Sequence, residues 1–423
     1  MTEAQLNQPE IPELSQKAYL TIHSFQAFNA ISYTIALGSP LTLFARDLGA
    51  SATVLGLIAA FTPLLSILQL TVAPYAARTG YRSVAVGGWG GRVATLILLC
   101  ALPWLGPLVP RDVSVAALVA TLFLFSFLRG FAAGSWLPWM TALVPRGSRA
   151  RFLTRDRTFT AVASVLALSV AGAILSGEHS ALSYSGMFGV SFVAGIVSLY
   201  FLNRIPAAPR VVGSSGESIR AVVPWGSILK DPGFMRYAAY GFGMSLMGAA
   251  AGTFVVLFIR EEVGLSDGAI VQLAAISQAV SMAALWYGRK RLDERGSKRY
   301  IFAGLTWLVV YFFVWLAMAG RVVPAVLIVA PIMMIVNGFV GGLLDLAGTR
   351  MLMNVCGDRP GSSQYFSVYQ TLANLATGFS PILWGIALDA MRGGQLNRYF
   401  VFFGAEMALV VLLALVLTRV RER

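Results

Sequence analysis

The sequence predicts an all-α integral membrane protein of twelve transmembrane helices, arranged as two pseudo-symmetric six-helix bundles. Three observations carry this expectation: hydropathy, the placement of positive charge and an internal repeat. Of 423 residues, 57% are hydrophobic and 12% charged, with a mean hydropathy of +0.72. A soluble domain is about half apolar and about a quarter charged. Uncharged runs recur along the chain, each approaching the roughly 20 residues that cross a bilayer as a helix. Backbone groups in lipid have no water to bond, so such runs must satisfy themselves as helices. The short alternating segments of a transmembrane β-barrel are not seen. This hydropathy excludes a soluble enzyme, and the lipid bilayer is the first expected partner.

The runs place spans at 19–44, 52–75, 83–105, 114–141, 158–177 and 182–203, then at 234–259, 268–288, 299–319, 323–348, 364–388 and 399–418. Five regions follow: a cytoplasmic tail 1–18, an N-terminal six-helix bundle 19–203, a linker 204–233, a C-terminal bundle 234–418 and a basic tail 419–423. The first tail carries Glu3, Glu10, Glu13 and Lys17, which is not the basic start of a cleavable signal. The linker holds Arg204, Arg210, Gly213-Ser-Ser-Gly216 and Arg220 and reads as a flexible connection.

With both termini on the cytoplasmic side, twenty-four of the 32 Lys and Arg residues fall on that side. Six fall on the other, and Arg92 and Arg129 lie inside spans. That bias fixes the expected orientation and points to a bacterial inner or derived intracellular membrane. It also explains the net charge of +13, so nucleic acid is not an expected partner. Cys100 and Cys356 lie in or near different spans, which argues against a disulfide framework.

Three stretches recur at an offset near 210 residues. Leu48-Gly-Ala-Ser51 matches Val263-Gly-Leu-Ser266. Ala77-Arg-Thr-Gly80-Tyr-Arg82 matches Asp293-Glu-Arg-Gly296-Ser-Lys298. Arg129-Gly-Phe131-x-x-Gly134 matches Asn337-Gly-Phe339-x-x-Gly342. Halves related in this way enclose a site between them near the midplane.

The run from Gly288 through Asp293, Arg295, Gly296 and Lys298 to Arg299 resembles the cytoplasmic signature of the major facilitator superfamily. Its first-half copy keeps Arg78, Gly80 and Arg82 but has Ala77 where the family has Asp. The cluster Arg146, Arg149, Arg151, Phe152, Arg155 and Arg157 resembles the family's basic loop between helices four and five. No glycine-proline signature of drug–proton antiporters stands in the fifth span. Gly38-Ser-Pro-Leu-x-Leu-Phe44-Ala45, leading to Leu48-Gly-Ala-Ser-Ala52, is similar to a bacterial branch near the magnetosome-membrane facilitator proteins.

By that resemblance, helices one, four, seven and ten line a cavity and the signature acts at a gate. A charge at a helix centre costs on the order of 2.5–3.5 kcal/mol, so charges inside spans need a reason. Arg129, with its repeat partner Asn337, is the first candidate for the substrate pathway, either as an anion ligand or as a bond between helices. His23, Gln26, Asn29 and Tyr33 share one face of the first helix. His23 is a proton or metal group, or a satisfied histidine near the membrane edge. Asp345 is read as a gate or pairing group, with Arg350 as the partner, or as a substrate- or proton-binding group. Arg92 and Glu406 are expected at the periphery, snorkelling or pairing locally. Gln370 with Asn374 reads as a join between helices, and Tyr240, Met244 and Met247 as packing.

No phosphate loop, nucleophile elbow, metal-spaced cluster or paired catalytic acid appears, so neither an enzyme nor a cofactor is expected. The leading expectation is a secondary transporter of a small solute or ion, with proton coupling through Asp345 or His23 or without it. Arg129 points to an anionic or zwitterionic solute. The branch resemblance points instead to iron or another divalent metal. A non-transporting assembly factor or scaffold on the same fold is the third reading.

Overall fold

The computed structural model describes residues 14–145, 148–177, 180–208, 225–322, 327–357, 362–394 and 396–420. Its helices are α1 Gln16–Leu37, α2 Ser39–Asp47, α3 Ala52–Leu65, α4 Leu68–Thr79, α5 Tyr81–Leu105, α6 Arg111–Leu143, α7 Arg149–Leu175 and α8 Ala181–Leu202. The one-turn α9 Trp225–Ile228 precedes α10 Pro232–Phe258, α11 Asp267–Arg295, α12 Ser297–Ala319, α13 Val329–Gly357, α14 Ser362–Ala390 and α15 Arg398–Thr418. Eleven helical segments among the described residues are long and apolar enough to cross a membrane. The twelfth span is α3 and α4 together, interrupted between Leu65 and Leu68, with Pro63 in the last turn of α3.

Four boundaries differ from the sequence expectation, one being the eighth span, which runs on to Arg295 and so carries Gly288, Asp293 and Arg295 on the helix. The first span breaks at Gly38, and α2 restarts with Pro40 in its first turn. There the missing proline N–H would be unpaired anyway. The fifth helix begins at Arg149, so Arg151, Arg155 and Arg157 lie on a helix rather than in a loop. The tenth runs from Val329 to Gly357, which places Arg350 within it. Of the expected linker, residues 209–224 lie outside the described residues.

The repeat reappears in the backbone. Gly49 and Gly264 both have positive φ (94° and 77°), and so do Gly80 and Gly296 (104° and 78°). Ser51 caps α3 by accepting from the Val54 N–H, and Ser266 caps α11 by accepting from the Ala269 N–H. Added Cβ atoms at Gly130 and Gly134 would lie 2.7 and 2.9 Å from Leu65 O and Val72 Cβ, so α6 meets the second span closely. At Gly338 and Gly342 they would lie 2.5 Å from the Ser277 and Ser281 carbonyls, so α13 meets α11 in the same way.

The signature residues act as ties inside each half. Arg82 donates to the carbonyl of Asn203 at the end of α8. Its counterpart Lys298 donates to the carbonyls of Thr418 (3.1 Å) and Val420 (2.7 Å) at the end of α15. In both halves a cation at the start of the third span closes the unpaired C-terminus of the sixth. Gly288 lets α11 approach α13, because its Cβ would lie 2.7 Å from Leu343. Arg78 and Arg299 are exposed. The side chains of Asp293 and Arg295 lie outside the described residues.

A Gly80→Ala change tests the turn. Nothing lies within 4 Å of the added Cβ, so the effect is confined to the backbone at φ 104°. A loss of about 1–2 kcal/mol is expected, seen as a lower unfolding midpoint in detergent.

Candidate functional site

Two adjoining hollows lie between the bundles. One, of about 650 Å³, is lined by Gln26, Asn29, Gln69, Arg129, Arg157 and Trp136 among others. The other, of about 610 Å³, is more apolar and includes Leu37, Val255, Met334, Ser277 and Asn337. Tyr33, Thr34, Leu168 and Gln278 line both and form the shared wall.

Arg129 sits with its guanidinium 5.5 Å from the Tyr33 ring centroid and forms no ion pair among the described residues. A cation over a ring face is held partly by the quadrupole, which leaves its N–H donors free for a ligand. Asp156 also borders this hollow but is engaged elsewhere: it accepts from Gln26 Nε2 at 3.2 Å and contacts His23 Nδ1 at 3.4 Å. The buried oxygens Asn29 Oδ1 and Asn337 Oδ1 have no hydrogen-bond partner.

Arg92 is not peripheral. It is fully buried, packed 5.2 Å from the Phe125 ring centroid. Its Nη2 reaches Ser32 Oγ at 3.5 Å, while Nε and Nη1 have no partner. An unpaired buried cation is costly, so Arg92→Met is expected to stabilise the fold by about 1–4 kcal/mol. A raised unfolding midpoint of the detergent-solubilised protein checks this. Glu406 is likewise interior, 1% exposed, with Oε2 unpartnered among the described residues.

The remaining candidates are dispersed. His23 lies outside both hollows, in a pocket at the face that carries the termini. Asp345 is exposed and forms no ion pair with Arg350. Arg350 donates instead to the Leu292 carbonyl. Gln370 bonds Asn374 (3.0 Å), which donates to Ser66 Oγ (2.9 Å) and joins α14 to the second span. Tyr240 and Met247 are core residues.

At the opposite face the halves are sealed. Arg46 pairs with Glu261 at 2.6 Å, and Glu261 also accepts from Arg398 at 2.5 Å. Arg260 pairs with Asp47 and, at 2.9 Å, with Asp267. Asp47 also accepts from the Tyr184 hydroxyl. Asp389 of α14 accepts from the Ala52 and Thr53 N–H groups at 3.1 and 2.7 Å, capping α3 across the seam. Gln272 of α11 donates to the Ser169 carbonyl of α7 at 2.9 Å. No hydrogen bond or ion pair between described residues joins the halves at the terminal face. The first hollow is lined by exposed Leu137 and Arg157, near the ends of α6 and α7 at the terminal face, and so opens towards that face. Sequence reading missed this seam, although Arg46-Asp47 and Arg260-Glu261-Glu262 flank the two repeated Gly turns.

Two helical bundles closing on a central hollow define a membrane solute transporter rather than an enzyme. The chain belongs to the Major Facilitator Superfamily, whose family model matches residues 22–335. Among solved structures it is similar to a mutant of the nucleoside transporter NupG, with a TM-score of 0.74 at 11% identity, covering 95% of this chain and 99% of that one. A D-xylose-proton symporter gives 0.74 at 16%, covering 96% and 99%. A bacterial homologue of the iron transporter ferroportin, in an inward-facing state, gives 0.71 at 12%, covering 96% and 99%. At these identities the likeness is one of fold. No curated protein matches the chain by sequence.

Proposed function

We propose that the protein is a secondary transporter, active or facilitative, for a small organic anion or zwitterion. It works by alternating access in a bacterial inner or derived membrane, with both termini cytoplasmic. The observation that carries this is Arg129, a cation facing the hollow without an ion partner, beside Tyr33. The anionic group sits at Arg129. Asn29 and Asn337 accept from hydroxyl or amino groups on the solute, and the apolar hollow takes its carbon frame. Arg92, buried behind, adds to the positive field. Exposed Asp345 is the group we assign to proton coupling, if transport is coupled.

Iron is the weaker reading. It is supported by likeness to the ferroportin homologue, while no group of three His, Cys, Asp or Glu among the described residues converges to hold a metal ion. A scaffold role has no observation of its own in the fold.

The test is uptake by purified protein in liposomes, across organic anions, zwitterions, neutral sugars, nucleosides and divalent metals. Saturable uptake of an anion or zwitterion is expected. Uptake confined to neutral solutes or metals, or no flux at all by folded protein, would overturn the reading.

A further inference from the structure

A further pocket, of about 410 Å³, lies apart from the central hollows at the face that carries the termini. It is lined by Gln16, Tyr19, His23, Ser148, Arg151 and Arg155, together with apolar Leu14 and Phe152, and none of these is a carboxylate. Three independent features converge on it.

The first is a helix start. Ser148 precedes α7 but gives it no side-chain cap. Its hydroxyl is engaged by the Pro145 carbonyl at 3.1 Å and by the Tyr19 hydroxyl at 3.2 Å. The first N–H groups of α7 are thus left without a side-chain acceptor, at the positive end of the helix dipole. The second is charge: Arg151 and Arg155 are one turn apart on the same helix face.

The third is a buried orphan. His23 is 3% exposed, and its ring lies between Phe152 and Phe159 with both centroid distances 5.3 Å. Nδ1 faces Asp156, while Nε2 has no partner. With Nδ1 facing Asp156, Nε2 is the ring nitrogen left for a group in the pocket that His23 lines.

We propose that this pocket binds a phosphate group, carried by a phospholipid headgroup or by a free phosphate. A tetrahedral anion has enough acceptor oxygens to meet two guanidinium groups and a helix N-terminus at once, with the His23 ring beside them. The place suits either source, since the pocket lies where the fourth and fifth spans meet the membrane surface. Asp156 bonds both His23 and Gln26, and Gln26 lines the central hollow. The pocket is therefore one side-chain relay from the site assigned to the solute.

Two probes applied to the full-length protein separate the sources. Native mass spectrometry measures phosphatidylglycerol retained from mixed phosphatidylglycerol–phosphatidylcholine micelles. Thermal unfolding measures the response to inorganic phosphate against chloride at equal ionic strength. Arg151→Gln/Arg155→Gln is expected to weaken binding roughly tenfold or more, the scale of a lost charged hydrogen bond. His23→Leu should do the same, and Arg236→Gln, a basic change on the same face of the other half, should not.

Retention of phosphatidylglycerol that falls in the double variant supports a headgroup site. A phosphate-induced shift that falls in the double variant, with lipid retention unchanged, supports a free phosphate. If neither probe distinguishes the wild type from the double variant, the proposal fails. Arg151 and Arg155 are exposed, so that variant decides the matter even if His23→Leu does not fold.

Discussion

Arg129→Ala is expected to reduce transport of the anionic solute by about 30-fold or more, while leaving a folded protein. Truncating one partner of a desolvated, hydrogen-bonded charge pair costs about 2–5 kcal/mol, and each ~1.4 kcal/mol is a factor of ten. The fold should tolerate the change, because the side chain holds no ion pair and its contact is the Tyr33 ring. Arg129→Lys separates charge from geometry. Lysine keeps the field but loses the planar fork that meets a carboxylate or phosphate in two places, so an intermediate loss is expected, mainly in affinity. Binding measured through ligand-induced thermal stabilisation should fall in step with uptake. Full activity in Arg129→Ala would make Arg129 a helix-packing residue and remove the main support for an anionic solute.

Arg129 was legible because a charge inside an apolar run is visible in one dimension. The glycine pairs were legible for a related reason. Gly49 with Gly264 and Gly80 with Gly296 repeat in sequence because the same backbone turn is needed twice. His23 shows where such reading ends. Helical angle puts it on one face with Asn29, but six residues at about 1.5 Å each separate the two by about 9 Å along the axis. That depth takes His23 out of the hollow and into the terminal pocket. Arg92 was misplaced because its helix number suggested the periphery, whereas its rotation towards Ser32 and Phe125 is set by packing. The seam could not be read at all. Arg46, Asp47, Arg260 and Glu261 are ordinary charges at the ends of apolar runs until the two halves are brought face to face.

That seam supports the last expectation. Gly56→Ala should drive the molecule out of the state described here. The added Cβ would lie 2.0 Å from the Pro381 carbonyl oxygen, a backbone atom that cannot rotate away. An added Cβ at Gly385 would lie 2.5 Å from the Ala52 carbonyl oxygen, which imposes the same limit from the other helix. Overpacking of this kind costs about 1–3 kcal/mol, and it falls only on the conformation in which α3 and α14 touch. Of the ion pairs beside it, those of Glu261 with Arg46 and Arg398 are partly exposed and offer little resistance, about 0–1 kcal/mol each, whereas Arg260 holds the buried Asp267 and opposes the shift. The balance should shift by about 5- to 150-fold towards a form open at the opposite face. A cysteine replacing Gly252 in the apolar hollow, where nothing crowds the position, reports the shift. With Cys100 and Cys356 replaced, an impermeant thiol reagent should reach it from the terminal face in the parent protein. After Gly56→Ala it should be reached increasingly from the other side. Unchanged labelling from both faces would mean that the seam is a fixed contact and that the halves do not rock about it.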